Sequence, residues 1–277
     1  MIGSMLITGG AGLLGSRLAV RAIADGWEVT VTTRRTEPPA GPSVEQIDLT
    51  DPAATRALVE RIRPDVIVHA AYDKGDNGPG SVTVAGTQAL VDAHAGPVVL
   101  TSTDLVFAGR GGPAYTEGDE PDPAIDYGRA KRVAERSVLT TPDGLVVRLP
   151  LLVDTVAGEQ VDLVRAAVRG GATLFTDEIR TPAMVDDVAT SILGLVELRH
   201  RGVVHLGGAA AVDRGTLGRL LAPHLGLDPA TVTTGPTPTS LVATGRPGDV
   251  RLDSSLADGL GLRPRSIVDA LTADVTS

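Results

Sequence analysis

The feature that most limits what this chain can fold into is a set of spaced glycines between an apolar strand and a helical segment. Met5–Thr8 reads as a strand and Leu14–Asp25 as a helix, with Gly9, Gly12 and Gly15 in the turn that joins them. Such a turn needs residues without Cβ, a backbone that a pyrophosphate can approach, and a helix N-terminus that favours an anion. A glycine-rich turn without a ligand is the plainer reading of a G-x-G-x-x-G match. Its place after a strand and before a helix favours dinucleotide binding, with Leu13 and Leu14 completing the cofactor loop.

The pattern continues in kind. Strands are expected at Glu28–Thr33, Asp65–Ala70, Val98–Thr101 and Leu145–Leu149. Helices are expected at Pro52–Ile62 (opened by Asp51 as N-cap), Ser81–His94 and Tyr127–Leu139, with a Pro/Gly-rich loop at 38–42. This alternation predicts an α/β fold, a Rossmann doubly wound parallel sheet. After Pro150 the rhythm loosens. Helices are expected at Gln160–Arg169, Val185–Arg199, Arg214–His224 and Ser266–Thr272, and a short strand at Val203–Leu206. Thr233–Asp249, rich in Thr, Pro and Gly, reads as a loop or partly ordered lobe. The expected organisation is a dinucleotide-binding domain over 1–150 and a small C-terminal substrate lobe over 151–277 packed on it.

A length of 277 residues and a hydrophobic share of 42% allow a sizeable core, which the 2% aromatic content makes mostly aliphatic. The net charge of −9 argues against nucleic acid and anionic membranes as partners. With no cysteine, disulfides and thiolate chemistry are excluded. The five scattered histidines show no zinc-helix spacing, so no metal site is expected. Neither a signal-peptide pattern nor a run of about 20 apolar residues is present, and a cytoplasmic location is expected.

The second strand ends in Thr33-Arg34-Arg35, without the acidic residue that holds a ribose 2′-hydroxyl in NAD-binding versions. Two guanidiniums suit a 2′-phosphate, which a carboxylate would repel, so NADP(H) is the expected cofactor. The alternative is that both arginines merely solubilise a loop. Asp48 is expected at the adenine amino group and Leu49 against its ring. Ala70, Ala71 and Thr101, at the ends of the next two strands, are expected to border the cofactor.

Tyr127 and Lys131 open a helix at i, i+4 spacing, on one face. An unperturbed tyrosine has a pKa of about 10, and a neighbouring ammonium favours its phenolate, making it a usable acid near neutrality. A lone Y-x-x-x-K is commonly a surface pair. This one follows Thr101-Ser-Thr103, at the carboxyl end of a strand where open α/β sheets bind ligands, and a hydroxyl there can hydrogen-bond a substrate carbonyl.

The chain resembles the extended short-chain dehydrogenase/reductases, and among them the dTDP-4-dehydrorhamnose reductase-like enzymes. The resemblance rests on Thr8–Gly15, Asp48-Leu49, His69–Ala71, Gly86-Thr87, Ser102–Phe107, Glu117, Tyr127–Lys131, Val147-Arg148 and Val185–Ala189. It implies reduction of a ketone, a 4-keto group of a nucleotide-linked deoxysugar. Thr103 would hold the carbonyl oxygen, Tyr127 protonate it, and Lys131 bind the nicotinamide ribose and lower the tyrosine pKa. Asp104, Arg148 and Arg180 are expected to bind substrate, Arg180 either at a nucleotide diphosphate or simply exposed before a helix. A homodimer is expected by analogy with the fold class alone.

Four positions depart from the family pattern. Thr83 replaces an Asn that helps hold the catalytic lysine, Leu105 an aromatic, and Arg180 a Gly; the Trp after Val147-Arg148 is missing. These leave open another carbonyl substrate, epimerisation, or a non-catalytic NADP(H)-binding regulatory subunit. Dehydration is disfavoured, because Thr103-Asp104-Leu105 lacks the Asp-Glu pair expected of dehydratases.

Overall fold

The computed structural model describes residues 2–36, 38, 40–72, 78 and 80–273, so the 38–42 loop lies partly outside the described residues. The first half runs β1 (Ser4–Thr8), α1 (Leu13–Ala24), β2 (Glu28–Thr33), β3 (Ser43–Gln46), α2 (Pro52–Ile62), β4 (Val66–His69), α3 (Thr87–Ala93), β5 (Val98–Thr103), α4 (Asp126–Leu139) and β6 (Leu145–Leu149). The second half runs β7 (Leu152–Val153), α5 (Glu159–Val168), β8 (Leu174–Phe175), β9 (Ile179–Arg180), β10 (Ala183–Met184), α6 (Val185–Glu197), β11 (Gly202–His205) and β12 (Val212–Asp213). It closes with α7 (Arg214–Leu221), β13 (Thr234–Gly235), α8 (Thr239–Ala243), β14 (Asp249–Val250), α9 (Ser255–Gly259) and α10 (Ile267–Ala273).

Seven strands form one sheet in the order β11-β6-β5-β4-β1-β2-β3. The ladders from β3 through β2, β1 and β4 to β5 are all parallel. Strands buried on both faces can be apolar throughout, as in β1, where Met5, Leu6 and Ile7 are all buried, and in β4, buried along its whole length. The chain leaves β1 for β2 on one side and later crosses to β4 on the other. The reversal makes the carboxyl end of β1 the ligand-binding point of such a sheet. Thr8 there pairs with Thr32 on one side and His69 on the other.

Contact density divides the chain into two compact units. The first holds residues 1–103, 126–148 and 189–204; the second holds 104–125, 149–188 and 205–277. A single cut at 150 therefore misassigns two stretches. Residues 104–125 go with the second unit because Phe107 and Val106 are buried with Val250, Leu252 and the stacked ring of Tyr115. Residues 189–204 return to the first because β11 extends its sheet beside β6. The first unit has an aliphatic core built around Leu6, Ile67, Leu90, Leu100 and Val138. In the second, Val161 and Val164 of α5 pack with Leu217 and Leu221 of α7 and Ile267 and Leu271 of α10.

Asp51 caps α2 as expected, accepting from Ala53 and Ala54 N–H at 2.9 and 3.1 Å, with Pro52 in the first turn. Two expectations are corrected. The helix read at 81–94 is a π-turn over 82–86 followed by the shorter α3, because the Val84, Ala85 and Gly86 N–H groups all converge on the Ser81 carbonyl. The stretch 233–249 is ordered: Thr234 and Gly235 pair with β8, and Thr237 donates through N–H and hydroxyl to Asp177 at 2.9 and 2.6 Å.

Candidate active site

The glycine turn is built for close approach. Gly9 has φ +73°, and a Cβ on it would lie 2.9 Å from the Ala71 backbone. A Cβ on Gly15 would stand 2.2 Å from the Gly9 carbonyl oxygen, so α1 can start this near β1 only with a bare α-carbon at 15. Gly12 N–H donates to Gly9 carbonyl at 2.9 Å, tightening the turn. Gly12 is also the N-cap of α1, which has neither a side-chain cap nor an acidic residue in its first turn. Its first N–H groups and the positive end of its dipole are thus suited to a phosphate.

A cavity of about 400 Å³ opens on this turn. Gly9, Ala11, Gly12, Thr32–Thr36, Ile47, Leu49, Ala70–Tyr72 and Val82 line it. Of the residues expected at a cofactor, Gly9, Gly12, Arg34, Arg35, Leu49, Ala70 and Ala71 are brought together here. Arg34 and Arg35 are exposed at its rim, just past the end of β2. Leu13, Leu14 and Gly15 belong to α1 instead; Leu14 is buried, and Gly15 serves spacing. Thr101 is not in the lining either, since its hydroxyl braces β5 to β4 by donating to the His69 carbonyl at 3.2 Å. Asp48 is not in the lining, although its neighbours Ile47 and Leu49 are. Its Oδ1 already accepts from Thr50 N–H and hydroxyl at 3.0 and 2.7 Å, contacts that hold its carboxyl below the usual range. Tyr72, Ile47, Thr36 and Val82 were not anticipated. Tyr72, Thr36 and Ile47 each carried a signal, adjoining Ala70-Ala71, Arg34-Arg35 and Asp48-Leu49, and Val82 carried none.

Beneath the turn, the Thr8 hydroxyl accepts from Ala70 and Ala71 N–H at 3.2 and 3.1 Å and lies 2.7 Å from His69 Nδ1. With both lone pairs taken, its hydrogen goes to Nδ1, leaving the imidazole proton on Nε2. Burial, and then the charge of Lys131, hold the His69 pKa at about 3, so the ring is neutral.

Thr103 is the last residue of β5 and is buried; Tyr127 is half-buried in the first turn of α4. One turn on, Lys131 is 2% exposed and donates from Nζ to the Thr101 carbonyl at 2.8 Å. Burial pulls its pKa down from 10.5 to about 8, with Glu135 acting the other way. The rings of Tyr127 and Tyr72 have centroids 6.1 Å apart, so the expected proton donor adjoins a residue of the glycine-turn cavity. Thr83, at the divergent Asn position, is fully buried in the π-turn, and its carbonyl accepts from the Thr87 hydroxyl at 2.6 Å.

The three residues expected at substrate are corrected together, because each is engaged inside the protein. Arg148 is buried, with Nε and Nη2 donating to the two oxygens of Glu135 at 3.0 and 2.9 Å. Arg180 donates to the Ile179 and Pro247 carbonyls at 2.8 Å each and to the Gly248 carbonyl. Its Nε stands 3.5 Å from Asp104, and both side chains are buried. Neither the diphosphate role nor the exposed alternative fits an arginine so enclosed. Among the described residues there is no metal-ligating cluster, and no helix is long and apolar enough to cross a membrane.

Fold and site together define an extended short-chain dehydrogenase/reductase with a Rossmann sheet. The chain belongs to the RmlD substrate binding domain family, whose model matches residues 3–275. It is 31% identical to the "Probable low-salt glycan biosynthesis reductase Agl14" of Haloferax volcanii, over 96% of this chain and 95% of that one. It is also 31% identical to the dTDP-4-dehydrorhamnose reductase of Mycobacterium tuberculosis, covering 82% of this chain and 77% of that protein. The methionine adenosyltransferase 2 subunit beta of Xenopus tropicalis is 29% identical, at 94% and 83% coverage. Among solved structures, a hypothetical dTDP-4-dehydrorhamnose reductase from Sulfolobus tokodaii superposes with TM-score 0.79 and 28% identity, covering 92% and 94% of the two chains. The Bacillus anthracis dTDP-4-dehydrorhamnose reductase in complex with NADP gives TM-score 0.82 at 19% identity, over 99% and 98%, a likeness of fold.

Proposed function

We propose that the chain is an NADPH-dependent reductase acting on the 4-keto group of a nucleotide-linked deoxysugar. The observation that carries this reading is the buried Lys131, its Nζ anchored to Thr101 at 2.8 Å, with Tyr127 one helical turn before it and Thr103 ending the strand that anchors it. The substrate class is supported by relatives whose names describe reductases of dTDP-4-dehydrorhamnose and of glycan biosynthesis.

Gly9, Gly12 and the N-terminus of α1 would hold the cofactor pyrophosphate, Arg34 and Arg35 its 2′-phosphate, and Leu49 its adenine. When bound, NADPH supplies the hydride. Tyr127 gives its phenolic proton to the carbonyl oxygen, and the Thr103 hydroxyl donates a hydrogen bond to that same oxygen. The negative charge growing there is met by two donors. The Lys131 ammonium favours the phenolate left on Tyr127. A second reading, an NADP(H)-binding regulatory subunit, is supported by the likeness to the beta subunit of methionine adenosyltransferase 2.

Following NADPH absorbance with a panel of dTDP-4-keto-6-deoxysugars and simple ketones separates the two. Turnover on the sugar nucleotides that falls by about 10²–10⁴-fold in Tyr127→Phe is the expected result. Tight NADPH binding with no turnover on any substrate would sink the reductase reading and favour the regulatory one.

A further inference from the structure

The inward face of α4 carries charge where a helix ordinarily buries apolar side chains. Tyr127, Lys131 and Glu135 follow one another at single-turn spacing along one stripe, beside the buried Ala134 and Val138. Lys131 and Glu135 are each 2% exposed, and Arg148 on β6 is 3% exposed.

Glu135 has no part in the chemistry above, yet its carboxylate is fully engaged. Oε1 accepts from Arg148 Nε at 3.0 Å and from the Ser102 hydroxyl at 2.5 Å, and Oε2 accepts from Arg148 Nη2 at 2.9 Å. Ser102 stands between Thr101, whose carbonyl anchors Lys131, and Thr103. The carboxylate is therefore tied to the same short stretch of β5 as the lysine.

Two cations and one carboxylate share this water-poor space. A guanidinium keeps its proton in a protein, whereas a buried ammonium can give its proton up. The unbalanced positive charge thus falls on Lys131, the cation able to shed it. Of the other titratable groups facing Lys131, His69 on β4 is neutral and Tyr127 is the reacting phenol.

We propose that Glu135 is a positioning residue for the reaction: held by Arg148 and Ser102 one helical turn from Lys131, its carboxylate sets how firmly Lys131 holds its proton, and Arg148 limits that effect by offsetting its charge. The proposal rests on the reading of Lys131 as the partner of Tyr127.

The chain has two lysines, Lys74 and Lys131, so ¹³C/¹⁵N-lysine labelling yields two side-chain signals, and Lys74→Arg leaves one. The experiment follows that signal against pH in the protein without cofactor, where the wild-type midpoint is expected at about 8. Glu135→Gln keeps the shape and the acceptor for Ser102 but removes the charge, and should lower the midpoint by about one pH unit. Arg148→Met removes the competing cation while Ser102 still holds the carboxylate, and should raise the midpoint by a similar amount. Combining the two substitutions should bring it back near the wild-type value. A merely structural role would loosen the same packing in both single variants and move both midpoints up, toward the ordinary lysine value. A rise in Glu135→Gln, or no change in Arg148→Met, overturns the proposal. Should Glu135→Gln fail to fold alone, the double variant, in which both members of the buried pair lose their charge, still decides it: a midpoint near the wild-type value supports the proposal and a rise overturns it.

The pH profile of kcat is the second readout, and it should move in the same direction as each midpoint. Midpoints that move while the profile stands still leave the electrostatic coupling intact and refute the catalytic reading of Lys131.

Discussion

Lys131→Met should make the folded chain more stable while abolishing its activity. The ammonium is buried and its pKa is held at about 8 in the fold, against an ordinary 10.5. That depression corresponds to about 3 kcal/mol of destabilisation, present whenever the folded lysine is charged. Methionine fills a similar elongated space without a charge. The variant loses the hydrogen bond from Nζ to the Thr101 carbonyl, worth about 1 kcal/mol. The net gain at pH 7 is about 2 kcal/mol. Between pH 8 and 10.5 the unfolded lysine holds its proton and the folded one has released it, so wild-type stability rises with pH across that window. The variant's advantage is therefore full below pH 8 and gone above 10.5. Urea unfolding of both proteins at pH 7, 8.5 and 10.5 measures this directly. A variant less stable than wild type at pH 7, or a difference that does not change with pH, would refute the reasoning.

His69 gives the corresponding acid limb. It is neutral in the fold down to about pH 3 but protonates at about 6.5 when unfolded, so the unfolded state binds more protons below 6.5 and stability falls with pH there. About 2 kcal/mol should be lost between pH 6.5 and 5, and His69→Gln should flatten that limb in denaturant titrations; an unchanged slope would exclude His69 as its source. Replacing Arg34 and Arg35 together with alanine should weaken NADPH binding by about 10²-fold or more and NADH binding far less, as read by direct titration. Equal losses for the two cofactors would remove the 2′-phosphate argument.

The glycine turn was legible in the sequence because its constraints are local. A left-handed φ at Gly9 and a 2.2 Å approach at Gly15 each require a missing Cβ, and that absence is visible in the residue type. The i, i+4 stripe of α4 was legible for the same reason. The substrate end was not, because the meaning of a charged residue depends on what lies opposite it. Arg180 finds its acceptors at Pro247 and Gly248, and Arg148 finds Glu135 on another element; nothing near either residue in the sequence marks the pairing. Strand β3 escaped notice because Ser43-Val-Glu-Gln is a short and largely polar strand at the sheet's edge, with only one apolar side chain and no alternation to read.

The interleaving of the two units bears on how the chain can be made and cut. It passes from one unit to the other five times, at 103/104, 125/126, 148/149, 188/189 and 204/205. A nascent chain about 150 residues long already carries the glycine turn and all of α4, but the sheet still lacks β11 beside β6. The first unit gains its last strand only after the second unit's whole α5 to β10 stretch has been synthesised. Neither unit is one continuous stretch that could be expressed or shuffled as a cassette, so loss of the C-terminal third removes sheet as well as lobe. The two units are inherited, and broken, together.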